Sequence, residues 1–133
     1  MATAQHFEDL VVWKEARSLR KEIAAAVRGP SFELDWEMRR QITGAGLSVM
    51  SNIAEGFERG TNKEFAQFLH TAKGSVGEVR SILYAALDDG YISKNQFTDL
   101  TSLATTVARR LSTLIKYLQG RASRGASPDN LKT

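Results

Sequence analysis

At 133 residues the chain has the size of a single domain, large enough to bury about two thirds of its unfolded surface without disulfides or metals. It contains no Cys, which excludes a disulfide framework, thiolate metal sites and cysteine nucleophiles together. The net charge of +3 is unevenly placed: from Arg109 onward six basic residues stand against one acid, a balance of +5, and the first 108 residues sum to −2.

The opening MATAQHFEDL has no basic segment followed by an apolar run, so no export signal is expected. No stretch approaches the roughly 18 uncharged apolar residues that a membrane span needs. A cytoplasmic, soluble protein is the expectation. Only Pro30 and Pro128 are prolines, and runs of Ala, Leu, Arg and Glu favour helices throughout, with no credible strand.

Residues 1 to 8 read as a lead-in, with Phe7 as an apolar anchor. A first helix is predicted from about 9 to 27. At 100° per residue Val12, Ala16, Leu19, Ile23 and Val27 share one face, and Lys14, Arg17, Lys21 and Arg28 lie nearly opposite. Trp13 falls between these faces, placed to cap the core edge or to meet a neighbouring subunit. Gly29-Pro30 closes the helix and a loop to about Leu34 follows.

A second helix, about 35 to 58, carries Met38, Ile42, Ala45, Val49 and Ile53 on its main face. Trp36, Leu47, Met50 and Ala54 form a second apolar strip about 120° to 160° away by 3.6-residue arithmetic. One bundle core needs one stripe, so the second argues for self-association. Trp13 joins these four as an expected interface residue.

A turn at Gly60 precedes Thr61-x-x-Glu64, a capping box that opens a third helix of about 62 to 88. Phe65, Leu69, Ala72, Val76, Val79, Leu83 and Ala86 then alternate steps of four and three, keeping one seam inward. On the opposite side His70, Gly74, Gly77 and Ser81 form a row of mostly small residues, expected to let another helix approach closely. Asp88, Asp89 and Gly90 end this helix, and Ser93 with Gln96 caps the next, about 94 to 119. Phe97, Leu100, Ala104, Val107, Leu111, Leu114 and Leu118 give its seam, and Gly120 is expected to close it. Residues 120 to 133 should form a flexible basic tail. The fold class is all-α, an antiparallel up-down-up-down four-helix bundle over residues 1 to 119.

Four segments together resemble the four-helix-bundle proteins encoded in intervening sequences of bacterial 23S ribosomal RNA genes. They are F-x-x-L-x-V-W-K-x-A at Phe7 to Ala16, Q-I-x-x-A-x-x-S at Gln41 to Ser48, S-N-I-A-E-G-F-x-R at Ser51 to Arg59, and F-L-x-x-A-x-G-S-x-x-E at Phe68 to Glu78. That family is similar in fold and size to the accessory protein of diversity-generating retroelements, a pentameric barrel that works with a reverse transcriptase and nucleic acid. The resemblance implies a homopentamer, which helix spacing alone does not separate from a dimer or tetramer. It supplies no catalytic residues.

Four-helix bundles that carry chemistry commonly hold a di-iron site between their helices. A di-iron site needs Glu-x-x-His on two inward faces, whereas this chain offers Gln67-x-x-His70 and a remote His6. There is no G-x-S-x-G elbow, and Gly44, Gly46 and Gly56 fall inside a helix rather than after a strand. No enzyme activity, metal or cofactor is expected. Asn52, Glu55, Arg59, Ser75 and Glu78 match family motif positions and have two readings: polar groups satisfying one another where two helices meet, or a small-ligand or RNA pocket.

The expected function is a non-enzymatic oligomeric scaffold or adaptor contacting RNA or DNA without sequence specificity. Lys14, Arg17, Lys21, Arg28, Arg109, Arg110, Lys116, Arg121 and Arg124 are the candidate contacts. Glu15 and Glu22 on the first helix oppose them. A purely protein-binding adaptor is the competing expectation, and a small-ligand or metal enzyme the third.

Overall fold

The computed structural model describes residues 4–122, the last two through their backbone. A 3₁₀ turn at Phe7–Asp9 leads into α1 (Val11–Ala26), followed by α2 (Pro30–Glu33), α3 (Trp36–Glu58), α4 (Asn62–Asp88) and α5 (Lys94–Ala122). No strand occurs among the described residues. Helix α3 packs on α4, α4 on α5, and α1 closes the ring by packing on both α3 and α5. The result is the antiparallel four-helix bundle that the apolar seams predict.

Local chemistry sets the ends of these helices. Asp35 caps α3 by accepting the Met38 amide at 3.0 Å. At the start of α4 the Thr61 hydroxyl accepts the Glu64 amide at 3.2 Å and donates to the Glu64 carboxylate at 3.1 Å. Before α5 the exchange is fully reciprocal: Ser93 Oγ accepts the Gln96 amide at 3.1 Å, and Gln96 Oε1 accepts the Ser93 amide at 2.8 Å. Gly60 and Gly90 reverse the chain with φ of 90° and 75°, a region where a side chain is strained.

Three boundaries differ from the sequence reading. Helix α1 begins at Val11 rather than Asp9, because the Asp9 carboxylate closes the preceding turn by accepting the amides of Gln5 and His6 at 3.3 and 3.1 Å. The loop expected through Leu34 holds the single helical turn α2, with Pro30 at its first position, where the missing amide is no loss, and Phe32 fully buried. Helix α5 passes Gly120 and continues to Ala122. Gly120 does not take the left-handed conformation that ends a helix, and a glycine in a helix weakens it by about 1 kcal/mol without stopping it. The remainder of the expected tail lies outside the described residues.

The inward seams pack as one core. All seven predicted positions of α4 are buried, as are Val12, Ala16, Leu19 and Ile23 of α1, and Ile42, Ala45, Val49 and Ile53 of α3. In α5 the residues from Leu100 to Leu118 in the predicted seam are buried and Phe97 is half-buried against Tyr84. Phe7 anchors the lead-in by packing edge-on against Trp13, ring centroids 5.1 Å apart.

The close helix approaches fall elsewhere than expected. His70, Gly74, Gly77 and Ser81 are all exposed, and a methyl group at Gly74 or Gly77 would meet nothing within 4 Å. That row lies opposite the buried seam, so within one chain no helix lies over it. Contact is tight instead at Gly46, where a Cβ would lie 2.9 Å from Ile23 Cδ1, and at Gly56, where it would lie 2.6 Å from Phe68 Cβ. These glycines set the spacing of α3 against α1 and α4.

Candidate functional site

The five polar residues singled out in sequence separate into two groups and one outlier. Ser48 Oγ and Ser75 Oγ lie 2.9 Å apart across the α3–α4 interface, and Asn52 Nδ2 donates to the Ser48 carbonyl and hydroxyl at 2.9 and 3.0 Å. One turn further along, Arg59 reaches Glu55 at 3.4 Å and Glu64 at 3.7 Å, with its guanidinium 5.0 Å from the centroid of the Phe68 ring. Glu78 is exposed and joins neither group. Ser48, Asn52 and Ser75 satisfy one another, as half-buried polar atoms must, while the Arg59 pairs lie in solvent. Sequence reasoning missed Ser48 as the pivot, although it is the last residue of the Q-I-x-x-A-x-x-S segment.

The basic candidates also divide. Lys14, Arg17, Lys21 and Arg28 are exposed on or just beyond α1, and Arg109 and Lys116 are exposed on α5. Arg17 additionally lies over the Trp13 ring, 5.8 Å from its centroid. Arg110 does not belong with them. Its Nε bonds Glu15 Oε1 and its Nη2 donates to Glu15 Oε2 at 3.2 Å, a two-pronged pair that ties α5 to α1 and neutralises the charge. The opposing acid was visible in the sequence, but its partner 95 residues away was not. Arg124 and the Arg121 side chain lie outside the described residues.

Among the apolar candidates, Trp13 is half-buried on Phe7, and Met50 packs against the core. Ala54 is half-buried. Trp36 and Leu47 remain 62% and 50% exposed, and Leu34, just ahead of α3, is 88% exposed. The strip therefore has an open part and a part covered within the chain.

A further polar link joins the beginning of α3 to the α4–α5 turn: Tyr91 donates its hydroxyl to Asp35 Oδ2 at 3.0 Å, while its ring lies 5.4 Å from that of Phe32. Accepting that bond, the Asp35 carboxylate raises the Tyr91 pKa above the ordinary 10, helped by desolvation and by the charges of Asp35 and Asp89. Among the described residues no three His, Asp or Glu side chains converge as a metal ion requires, and His6 and His70 are both exposed. No helix among them is long and apolar enough to cross a membrane.

Comparison with known proteins agrees with the fold. The fold is similar to the crystal structure of a protein of unknown function from the S23 ribosomal protein family of Bacteroides thetaiotaomicron, with a TM-score of 0.74 and 21% identity over 80% of this chain and 99% of that one. No curated protein matches the chain. The family model of the 23S rRNA-intervening sequence proteins matches residues 8–113, from the turn before α1 nearly to the end of the α5 seam. The chain belongs to the 23S rRNA-intervening sequence protein family.

Proposed function

We propose that the chain is a non-enzymatic cytoplasmic scaffold whose copies associate through the outer side of α3 and present repeated basic faces to RNA or DNA. The observation that carries this reading is Leu47, half exposed in the middle of a 23-residue helix whose inner face is already filled by core residues. A second copy laid over Leu47 and the half-buried Met50 and Ala54 would remove apolar surface from water, worth about 25 cal/mol per Å². The family resemblance favours a ring of five.

The nucleic-acid part is supported by Lys14 and Lys21, seven residues and roughly 10 Å apart along α1, and by Arg28 just beyond its end. None has a carboxylate partner within 4 Å among the described residues. Arg109 and Lys116 add charge on α5. Repetition of a weak patch in each copy gives avidity toward a polyanion, with binding that tolerates sequence and falls with salt.

Light scattering and a mobility-shift titration at two salt concentrations test the two parts separately. Leu47→Glu should lower the molar mass while the helical circular dichroism persists; an unchanged mass removes the interface. Wild-type protein should shift RNA or DNA at low salt and release it at high salt. A chain that oligomerises without such binding is the protein-binding adaptor instead.

A further inference from the structure

A groove of about 420 Å³ opens where the end of α1 meets the beginning of α3, lined by Val27, Trp36, Arg39, Arg40, Thr43 and Gly44. Its walls bring an indole, two guanidiniums and a hydroxyl together with no acidic side chain. Trp36 is the aromatic of the second apolar strip and lies eleven residues, roughly 16 Å along the helix axis, from Leu47, but Thr43 and Gly44 carry the groove to within one turn of Leu47, so the two surfaces adjoin along α3. The Arg40 guanidinium sits 5.4 Å from the Trp36 ring centroid, and most of the indole still faces water. Gly44 adds no side chain, and a Cβ there would meet nothing within 4 Å, so this part of the wall is open.

The charge of the groove is uncompensated. Neither Arg39 nor Arg40 has a carboxylate within 4 Å among the described residues. Glu37, the nearest acid in sequence, is exposed, pairs with neither arginine and does not line the groove, and Asp35 has its two oxygens committed to the Met38 amide and the Tyr91 hydroxyl. The amino-terminal end of α3 adds its own partial positive charge close by.

We infer that this groove is a stacking site for an unpaired base of single-stranded RNA or DNA, with Trp36 receiving the base and Arg39 and Arg40 the adjoining phosphates. A flat apolar ring beside two fixed planar cations matches a nucleotide, which is a flat ring joined to an anion; an acidic peptide would use the arginines and leave the indole idle. A base held in a duplex is already stacked and its faces are covered, so the groove should discriminate against paired strands. The inference rests on the nucleic-acid reading above and locates it on α3 rather than on the α1 row.

The chain has two tryptophans, so in a Trp13→Phe background the emission reports on Trp36 alone. Short oligouridylate and oligothymidylate should each quench that emission, and a duplex of equal length should quench it far less. In the wild-type background Trp36→Ala should weaken single-strand binding about tenfold, the low end of the contribution of one stacked base, without changing the salt slope. Arg40→Gln should instead reduce that slope by about one. Both positions are exposed, and circular dichroism checks that the variants remain folded. Single-strand binding that survives Trp36→Ala undiminished overturns the stacking site while leaving the basic faces in place. Equal displacement of the oligonucleotide by polyglutamate makes the groove a plain anion site and overturns it as well. If no oligonucleotide binds the wild-type chain at all, the nucleic-acid reading falls and this site falls with it.

Discussion

Replacing Gly56 by Ala sets two opposed effects against each other, and the structure decides between them. Removing a helical glycine favours α3 by about 1 kcal/mol. The new methyl, however, would lie 2.6 Å from Phe68 Cβ, 3.1 Å from Phe65 Cδ1 and 3.3 Å from the Phe65 carbonyl oxygen. The first and last are fixed parts of α4, so relief requires α3 and α4 to separate rather than a side chain to turn aside. Overpacking of this kind costs about 1–3 kcal/mol, and the upper part of that range applies because backbone must move. The net expectation is a loss of about 1–2 kcal/mol, or roughly 4–8 °C in Tm for a domain of this size. Gly44→Ala is the control, since nothing lies within 4 Å of its Cβ, and it should raise stability by up to about 1 kcal/mol. Urea denaturation of both variants measures the difference directly. Stabilisation by both substitutions would refute the close α3–α4 approach at Gly56.

Leu111→Asp places an unpaired carboxylate at a fully buried position of α5 and should unfold the chain, read as loss of the cooperative thermal transition; a normal melt would mean that the phase of α5 is wrong. Arg110→Gln removes the pair with Glu15, and because both partners retain solvent contact the loss should be about 1 kcal/mol by denaturation, with nucleic-acid affinity unchanged. A fall in that affinity would show the Arg110 charge to be available after all. The raised Tyr91 pKa means that the folded state favours the neutral phenol, so the stabilisation from its bond to Asp35 is complete below pH 10 and disappears as pH rises through the raised value. Thermal melts of wild type and Tyr91→Phe should therefore differ at neutral pH and converge at high pH; curves that stay parallel would contradict that bond.

The seam of α4 and the caps at Thr61 and Ser93 were legible because each is a local pattern, set by residues within one or two turns. The same arithmetic placed Ile42 to Ile53 of α3 inward. What the sequence did not reveal depends on distant partners. Arg110 reads as a free cation until Glu15 is seen beside it, and the spacing of Gly74 and Gly77 does not say that no helix of their own chain lies over them. Glycine spacing gives no sign of which neighbour is near, so Gly46 and Gly56 were indistinguishable from Gly44. Arg39 and Arg40 were absent from the basic candidates because their significance comes from Trp36 and the end of α1, which only the packed chain brings to one groove.

Helix α1 is the shortest of the four long helices, 16 residues against 23, 27 and 29, and it shares less of its surface with α3 and α5 than α4 shares with them. Local opening is cheapest where fewest buried contacts must break, so in a fluctuating molecule α1 is the first long helix to peel away, while the α3–α4–α5 trio holds. Glu15 and Arg110 act as the latch on that movement. The row of positive charge on α1 is thus mounted on the least tightly held wall of the bundle, and the other three helices keep its form without it.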